Sequence, residues 1–326
     1  MSKRNNVLLR VYPGLCALLA VATLSLSGCG STAAAPVIQN LYVTNGNAVA
    51  KFSLPATTAV NVAPTLNITG ALTTLNDPHR TALDASGNIY VTNFNANGIL
   101  VFPATATGNV APTSTISGAN TLLNCPSGIA LDAKGLIYVA NSCGNLITVY
   151  AAAATGNVAP IATIKGTTTA LNFPNGLALD SKGNIWVINE DSNSIAEFAA
   201  NPTGTLNEAP ITTISGANTL LNFPHALTFD AAGNIYVVNG SGNNVLVFAS
   251  TATGNVAPTA TIGGTNTGFS DPNGIALDQN GYIYVGNHNS VLVYGPKPSG
   301  SVTSAPLYTL TGTSTGLSGI HGVSVN

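Results

Sequence analysis

From residue 37 onward the chain repeats itself. Asp84, Asp132, Asp180, Asp230 and Asp278 follow one another at spacings of 48, 48, 50 and 48 residues. A period of that length, carried by short apolar runs, restricts the chain to an array of like supersecondary units. Each unit reads as four short strands. The first is of the type GIALD, and an xxGN turn joins it to a second of the type IYVxN; VLVF forms the third, and after ATGNVAP comes a fourth of the type TATI. Val, Ile, Leu and Tyr fill these runs, and Gly, Pro and Asn bound them, as expected of strands. The runs are almost continuously apolar, so both faces of each sheet need cover. Blades packed radially cover one another, which makes the expected fold all-β, a β-propeller of four-stranded antiparallel blades.

Blade number follows from counting. Second strands recur six times, around Tyr42, Tyr90, Tyr138, Trp186, Tyr236 and Tyr284, and Ala-Pro pairs end at Pro64, Pro112, Pro160, Pro210, Pro258 and Pro306. First strands begin only at RTALD (80–84), and GVSVN (322–326) falls 48 residues after GIALD (274–278). The N- and C-terminal strands are therefore expected to share one blade, closing a ring of six with no open edge. A monomer is expected.

A leader precedes the repeats. Lys3, Arg4 and Arg10 flank LCALLAVATLSL (15–26), an apolar run of 12 residues that is too short to span a bilayer. It ends in Leu26-Ser27-Gly28-Cys29, which resembles the bacterial lipobox. That resemblance implies a signal peptide over 1–28, acylation of Cys29, a short linker over 29–36 and a propeller over 37–326. With Gly30 rather than Asp after the cysteine, it also implies the outer membrane in a Gram-negative cell. The alternative is an ordinary secretory signal with an incidental cysteine. The expected location is the exported side of the bacterial cell envelope, with the protein held to the membrane by lipid. Only 6% of residues are charged, and without the three basic residues of the leader 6 basic residues face 11 acidic ones, a net charge of −5. Nothing basic tracks a phosphate backbone, so nucleic acid is excluded as a partner.

PNGIALDQNGYIYVGNHNSVLVY (272–294) resembles the NHL repeat, and the likeness recurs across 37–326. NHL propellers include lyases, lactonase-like enzymes and plain binding domains, so the resemblance bears on fold more than on function. The Asp ending each first strand starts a tight turn, where its carboxylate is expected to accept backbone N–H bonds. Asn45, Asn93, Asn141, Asn189, Asn239 and Asn287 end the second strands. Both sets recur in every unit and read as architecture. Cys125 and Cys143 occur in one unit only. Their numbers sum to 268, twice the position of the hairpin turn near Lys134, so they face each other across adjacent strands. In an exported protein a disulfide is expected, with a free thiol pair or a metal site as the alternative. Cys16 leaves with the signal.

The residue after each Pro, entering the innermost strand, reads around the ring as His79, Ser127, Asn175, His225, Asn273 and His321. These six are expected to surround one mouth of the channel. DPHRTALD and FPHALTFD resemble the zinc-binding segments of peptidyl-hydroxyglycine amidating lyases, and GIHGVSVN does so in part. The resemblance implies zinc or another divalent cation on His79, His225 and His321, with Arg80 binding a substrate carboxylate. The departures are clear: three-fold ligation would use alternate blades, whereas these histidines lie on blades one, four and six, and Ser142 stands where the lyases carry a tyrosine. No carboxylate is expected in the ring, and no acid–base set completes around Arg80. His288 and the Glu190–Asp191 pair are expected in solvated loops.

The leading expectation is a binding or scaffold module for a protein, peptide or glycan, with no resident cofactor. A metal-dependent lyase or hydrolase and a purely structural envelope protein are the alternatives.

Overall fold

The apolar runs become strands where the periodicity places them. The computed structural model describes residues 40–53 and 59–326; the expected signal peptide, Cys16, Cys29 and the linker lie outside the described residues. Six sheets form, each ordered from an innermost strand outward. Blade one starts with Pro78–Leu83 and blades two to five with Pro126–Leu131, Pro174–Leu179, Pro224–Phe229 and Pro272–Leu277. Blade six is the shared one: Ile320–Val325 lies antiparallel on Leu41–Asn45, with Val43 opposite Val323, and Asn40 and Asn326 exchange backbone hydrogen bonds of 3.2 and 3.0 Å. The six-bladed count and the shared closing blade are as the repeats imply. Among the described residues no helix is long and apolar enough to cross a membrane.

Apolar side chains on both faces of each sheet meet those of the neighbours, so the core is six clusters, one per pair of adjacent blades. Between blades three and four, for example, Ile188, Ile195 and Ile214 pack on Leu227, Val237 and Leu246. The repeated Asp residues do what turn chemistry requires. Asp84 Oδ1 accepts from the backbone N–H of Ser86 at 2.9 Å and of Asn88 at 2.8 Å, and the other four units repeat the pair. The glycine of each turn is left-handed, with φ between 78 and 83°, a conformation that spares only glycine a steric cost.

The ATGNVAP segments act between blades, a role the repeat pattern alone does not disclose. Each runs parallel against the outer strand of the preceding blade, as with Gly204–Leu206 on Ala162–Ile164 and Ala59–Val60 on Thr309–Leu310. In three blades the contact narrows to one bridge, such as Gly108 with Ile68. The Asn side chain then accepts a backbone N–H of that blade, Asn109 from Leu72 at 2.7 Å and Asn157 from Asn120 at 2.8 Å. Such side-chain acceptors satisfy donors that an outer edge would otherwise leave to water.

Cys125 and Cys143 form a disulfide, with Cα atoms 5.4 Å apart. The inner ladder keeps the expected sum of 268 through Ile129–Val139 and then shifts by one residue, pairing Pro126 with Asn141. The cysteines lie just beyond that last pair and staple the two loops that leave it.

A Cys125→Ser, Cys143→Ser variant is expected to fold and to lose less than the roughly 3 kcal/mol that closing a loop of this length contributes, because the ladder already holds its ends together. Removal of residues 320–326 is expected to abolish cooperative unfolding by exposing the Leu41–Asn45 edge. Thermal unfolding followed by circular dichroism reads both.

Candidate functional site

The mouth is shaped by a bulge that every blade repeats. Each innermost strand shifts register as it begins, and the residue before it is left-handed: Asp77, Cys125, Phe173, Phe223, Asp271 and Gly319 have φ between 49 and 61°. The N–H of each is accepted by an Asn side chain of the preceding blade, from Asn47 to Asp77 at 2.9 Å round to Asn289 and Gly319 at 3.3 Å. A left-handed residue at the entry to the innermost strand, recurring in every blade, is architecture and not strain stored at one site.

The bulge brings the six expected ring residues together at the mouth, where neighbours touch. His79 Nδ1 lies 3.1 Å from Ser127 Oγ, and Ser127 Oγ donates to Asn175 Oδ1 at 2.5 Å. Ser127, Asn175 and His225 are buried, while His79, Asn273 and His321 are half-buried. His225 turns its Nδ1 to the Pro272 carbonyl at 3.2 Å. Ser142 is also buried and donates to the Pro174 carbonyl at 2.8 Å, so it braces blade two on blade three. His288 is exposed, as expected.

One level below the ring, the strands converge so closely that a side chain has no room. A Cβ at Gly176 or Gly274 would come within 2.6–2.7 Å of the next blade's backbone, and Gly128 and Gly322 are tighter still. Blade four has Ala226 at this level, and blade one has Arg80. The Arg80 side chain fills the space that the other five leave. Its guanidinium donates to the carbonyls of His79 at 3.3 Å, Asn273 at 3.0 Å and His225 at 3.4 Å, and to that of His321. Arg80 is thus a spoke across the channel, 8% exposed, and not a free arm for a substrate carboxylate. Burial lowers its pKa to about 10, against the pull of Glu190, so it stays charged at neutral pH. Beneath it the channel continues as a cavity of about 370 Å³ lined by Leu83, Leu131, Leu179 and Leu277.

Two carboxylates pair closely with the ring histidines. Glu190 is 6% exposed, accepts from Asn175 Nδ2 and lies 3.9 Å from His225 Nε2. Burial raises its pKa, opposed by Asn175 and Arg80. Asp77 sits between two imidazoles, its carboxylate 3.1 Å from His321 Nε2 and 3.6 Å from His79 Nε2. The His79 and His321 rings stack with centroids 4.4 Å apart, and Phe94 stacks on the other face of His79 at 4.0 Å. The neighbouring His79 imidazole holds the Asp77 carboxyl below its usual range, against burial. Burial pushes His79 and His225 down to about 4 and lowers His321 as well. Among the described residues, Asp77, His79 and His321 form the one group of three such side chains able to close on a metal ion, their ligand atoms all within 4.8 Å.

The model of the SMP-30/gluconolactonase/LRE-like region matches residues 20–210, more than half of the 326. The chain belongs to the SMP-30/gluconolactonase/LRE-like family. No curated protein matches it in sequence. Among solved structures, a protein of unknown function from Bacteroides caccae is similar at 12% identity and a TM-score of 0.63, over 88% of this chain and 98% of that one. The nidogen/laminin complex contains a chain similar at 16% identity and a TM-score of 0.62, over 88% and 97%. A putative 6-phosphogluconolactonase from Bacteroides fragilis matches at 16% and 0.54, over 81% and 80%. At these identities the likeness is one of fold.

In this SMP-30/gluconolactonase-like propeller the mouth departs from the sequence reading in three ways. Glu190 is not in a solvated loop: the loop after the second strand of blade three folds inward over Asn175. Carboxylates do line the mouth, supplied by that loop and by the residue before Pro78. The three histidines split, His79 and His321 to Asp77 and His225 to Glu190.

Replacing Arg80 by Met removes donors from four blades and leaves Glu190 without its countercharge. A loss of about 3–5 kcal/mol is expected, the range for breaking a buried ionic contact, read by urea denaturation. Stability is also expected to fall with pH. The unfolded imidazoles take up protons near 6.5 and His79 and His225 only near 4, so across that window the unfolded chain binds more protons. Urea midpoints at pH 7.5 and 5 should differ less in His225→Asn than in the parent.

Proposed function

We propose that the protein is a lipid-anchored, NHL-type binding propeller of the bacterial cell envelope, which turns its channel mouth away from the membrane toward a peptide, glycan or protein ligand. The observation that carries this reading is where the chain enters the ring. Asn40 pairs with Asn326 at the end of blade six opposite to the Asn45–Ile320 pair, which sits at the mouth. Ten residues separate Cys29 from Asn40, a reach of at most about 35 Å, so a lipid on Cys29 would tether the ring through a strand end at the face opposite the mouth.

The chemistry of the mouth favours recognition. Arg80 closes its floor with both terminal nitrogens engaged by carbonyls, and Asn, Ser and His side chains surround it. Phe223, 41% exposed, stands at the rim, where an aromatic face adds contact area at little entropic cost. A second reading rests on Glu190 and His225. His225 Nδ1 must donate to the Pro272 carbonyl, which leaves its Nε2 lone pair toward a carboxyl whose pKa is raised, and such pairs serve acid–base chemistry.

One set of experiments separates these readings. Cys29→Ser should move the protein from membranes to the soluble fraction; retention on membranes would remove the anchor. Glycan and peptide arrays probed with the purified protein should give hits that Phe223→Ala and Asn273→Ala abolish and that Lys134→Ala, on the opposite face, leaves intact. Release of products from such ligands, lost in Glu190→Gln, would replace binding with turnover. Arrays without any mouth-dependent hit would leave a structural envelope protein.

A further inference from the structure

We propose that Asp77, His79 and His321 form an off-axis site for a first-row divalent ion, zinc foremost, on the seam between blades six and one. Proximity alone would not carry this, since a carboxylate beside two imidazoles also makes an ordinary polar contact. What carries it is the direction of the hydrogen bonds behind His79. Asn175 gives its Nδ2 to Glu190, so its Oδ1 is left to accept. Ser127 Oγ donates its only proton to that Oδ1. Ser127 can then only accept from His79, which fixes the proton of the neutral ring on Nδ1. The bare lone pair of Nε2 therefore points toward the Asp77 carboxylate, 3.6 Å away. Two acceptors facing each other at that distance call for a cation between them.

The donor set matches a transition ion. Two imidazole nitrogens and one carboxylate suit zinc and its neighbours better than calcium, which takes six or more oxygens. A ligating histidine commonly donates its other N–H to a supporting group that fixes tautomer and orientation, and Ser127 is such a group for His79. Phe94 braces the same ring from behind. Tetrahedral ligation at about 2.1 Å brings two nitrogens to roughly 3.3 Å apart with both rings aimed at the ion. The stacked rings must therefore open slightly. His321, 30% exposed at its side chain, has room to tilt while His79 stays clamped. Asp77 is held from behind, its N–H by Asn47 at 2.9 Å and its Oδ2 by Asn95 at 3.2 Å. Three protein ligands leave a coordination position open, and the exposure of Asp77 and His321 directs it to the mouth. The equivalent residue of blade five, Asp271, is exposed and acts on His225 and His321 through its charge rather than by a close ion pair.

The site does not depend on the anchor or on the binding role. Purified protein, stripped of metal by dialysis against a chelator, is titrated with ZnCl2 by calorimetry, with CaCl2 in parallel, and with CoCl2 by visible absorption. One zinc per chain is expected, with weak or no calcium binding and a cobalt spectrum of low coordination number. Asp77→Asn and His321→Ala should each weaken zinc binding at least 100-fold. Ser127→Ala should weaken it 10- to 100-fold, and His225→Ala should leave it unchanged. Circular dichroism confirms that each variant is folded, and the near-isosteric Asp77→Asn decides the matter if His321→Ala is not. Absence of stoichiometric zinc in the folded parent overturns the site. So does binding that survives Asp77→Asn, or binding that disappears in His225→Ala, which would put the ion on the ring axis.

Discussion

The close approach of the six innermost strands, one level below the mouth, sets the terms for everything above it. Where Gly128, Gly176, Gly274 and Gly322 meet the next blade's backbone, a methyl group does not fit, and ring closure is possible only because those side chains are missing. The vacancy is filled from one blade. Arg80 ties the carbonyls of blades one, four, five and six into a single hydrogen-bonded centre. A buried guanidinium is tolerable only with such partners and a nearby opposite charge. Glu190 supplies that charge, and its own burial is tolerable for the same reason. The electrostatics of the mouth are thus a consequence of how the ring is closed.

Closure is secured at three radii. Glycine contacts act at the channel, the Asn47-to-Asn289 series links each blade to the next at the mouth, and the ATGNVAP segments latch the outer edges. Each layer repeats with the blades, so departures from the repeat stand out as residues with other work to do. Arg80 departs from glycine, Glu190 takes a place filled elsewhere by Gly46, Phe94, Ser142, Gly240 or His288, and three ring positions carry histidine. The seam between blades six and one gathers most of them, and it is also where the two ends of the chain meet.

The architecture was legible because it repeats. Spacing alone gave six blades, the shared closing blade, the structural Asp and Asn sets and the composition of the ring. The cysteine pairing was legible from hairpin symmetry, although the bulge displaces it from the ladder. What could not be read were contacts between units. Nothing in ATGNVAP announces that its Asn reaches a different blade, and the Arg80 spoke requires knowing that its counterparts leave a void. Glu190 was within reach. Aligning the residue after each second-strand Asn sets it over the same mouth as Asn175, but charge in a loop ordinarily faces solvent. Asp77 was hidden in the same way, since Asp before Pro is ordinary turn chemistry.

The histidines show how the buried cation decides between sites. By residue identity, His79, His225 and His321 invite an ion on the axis of the ring. Arg80 lies across that axis just beneath them, and its charge contributes to the lowering of all three. A divalent ion placed there would face a full positive charge at short range in a poorly screened interior, an unfavourable contact worth several kcal/mol at an effective dielectric near 20. A position off the axis toward blade six brings in the Asp77 carboxylate, whose negative charge offsets that repulsion. Glu190 remains on the other side to balance Arg80. Two carboxylates, one of them countering the arginine at the centre of the ring, therefore divide three similar histidines into two unlike sites.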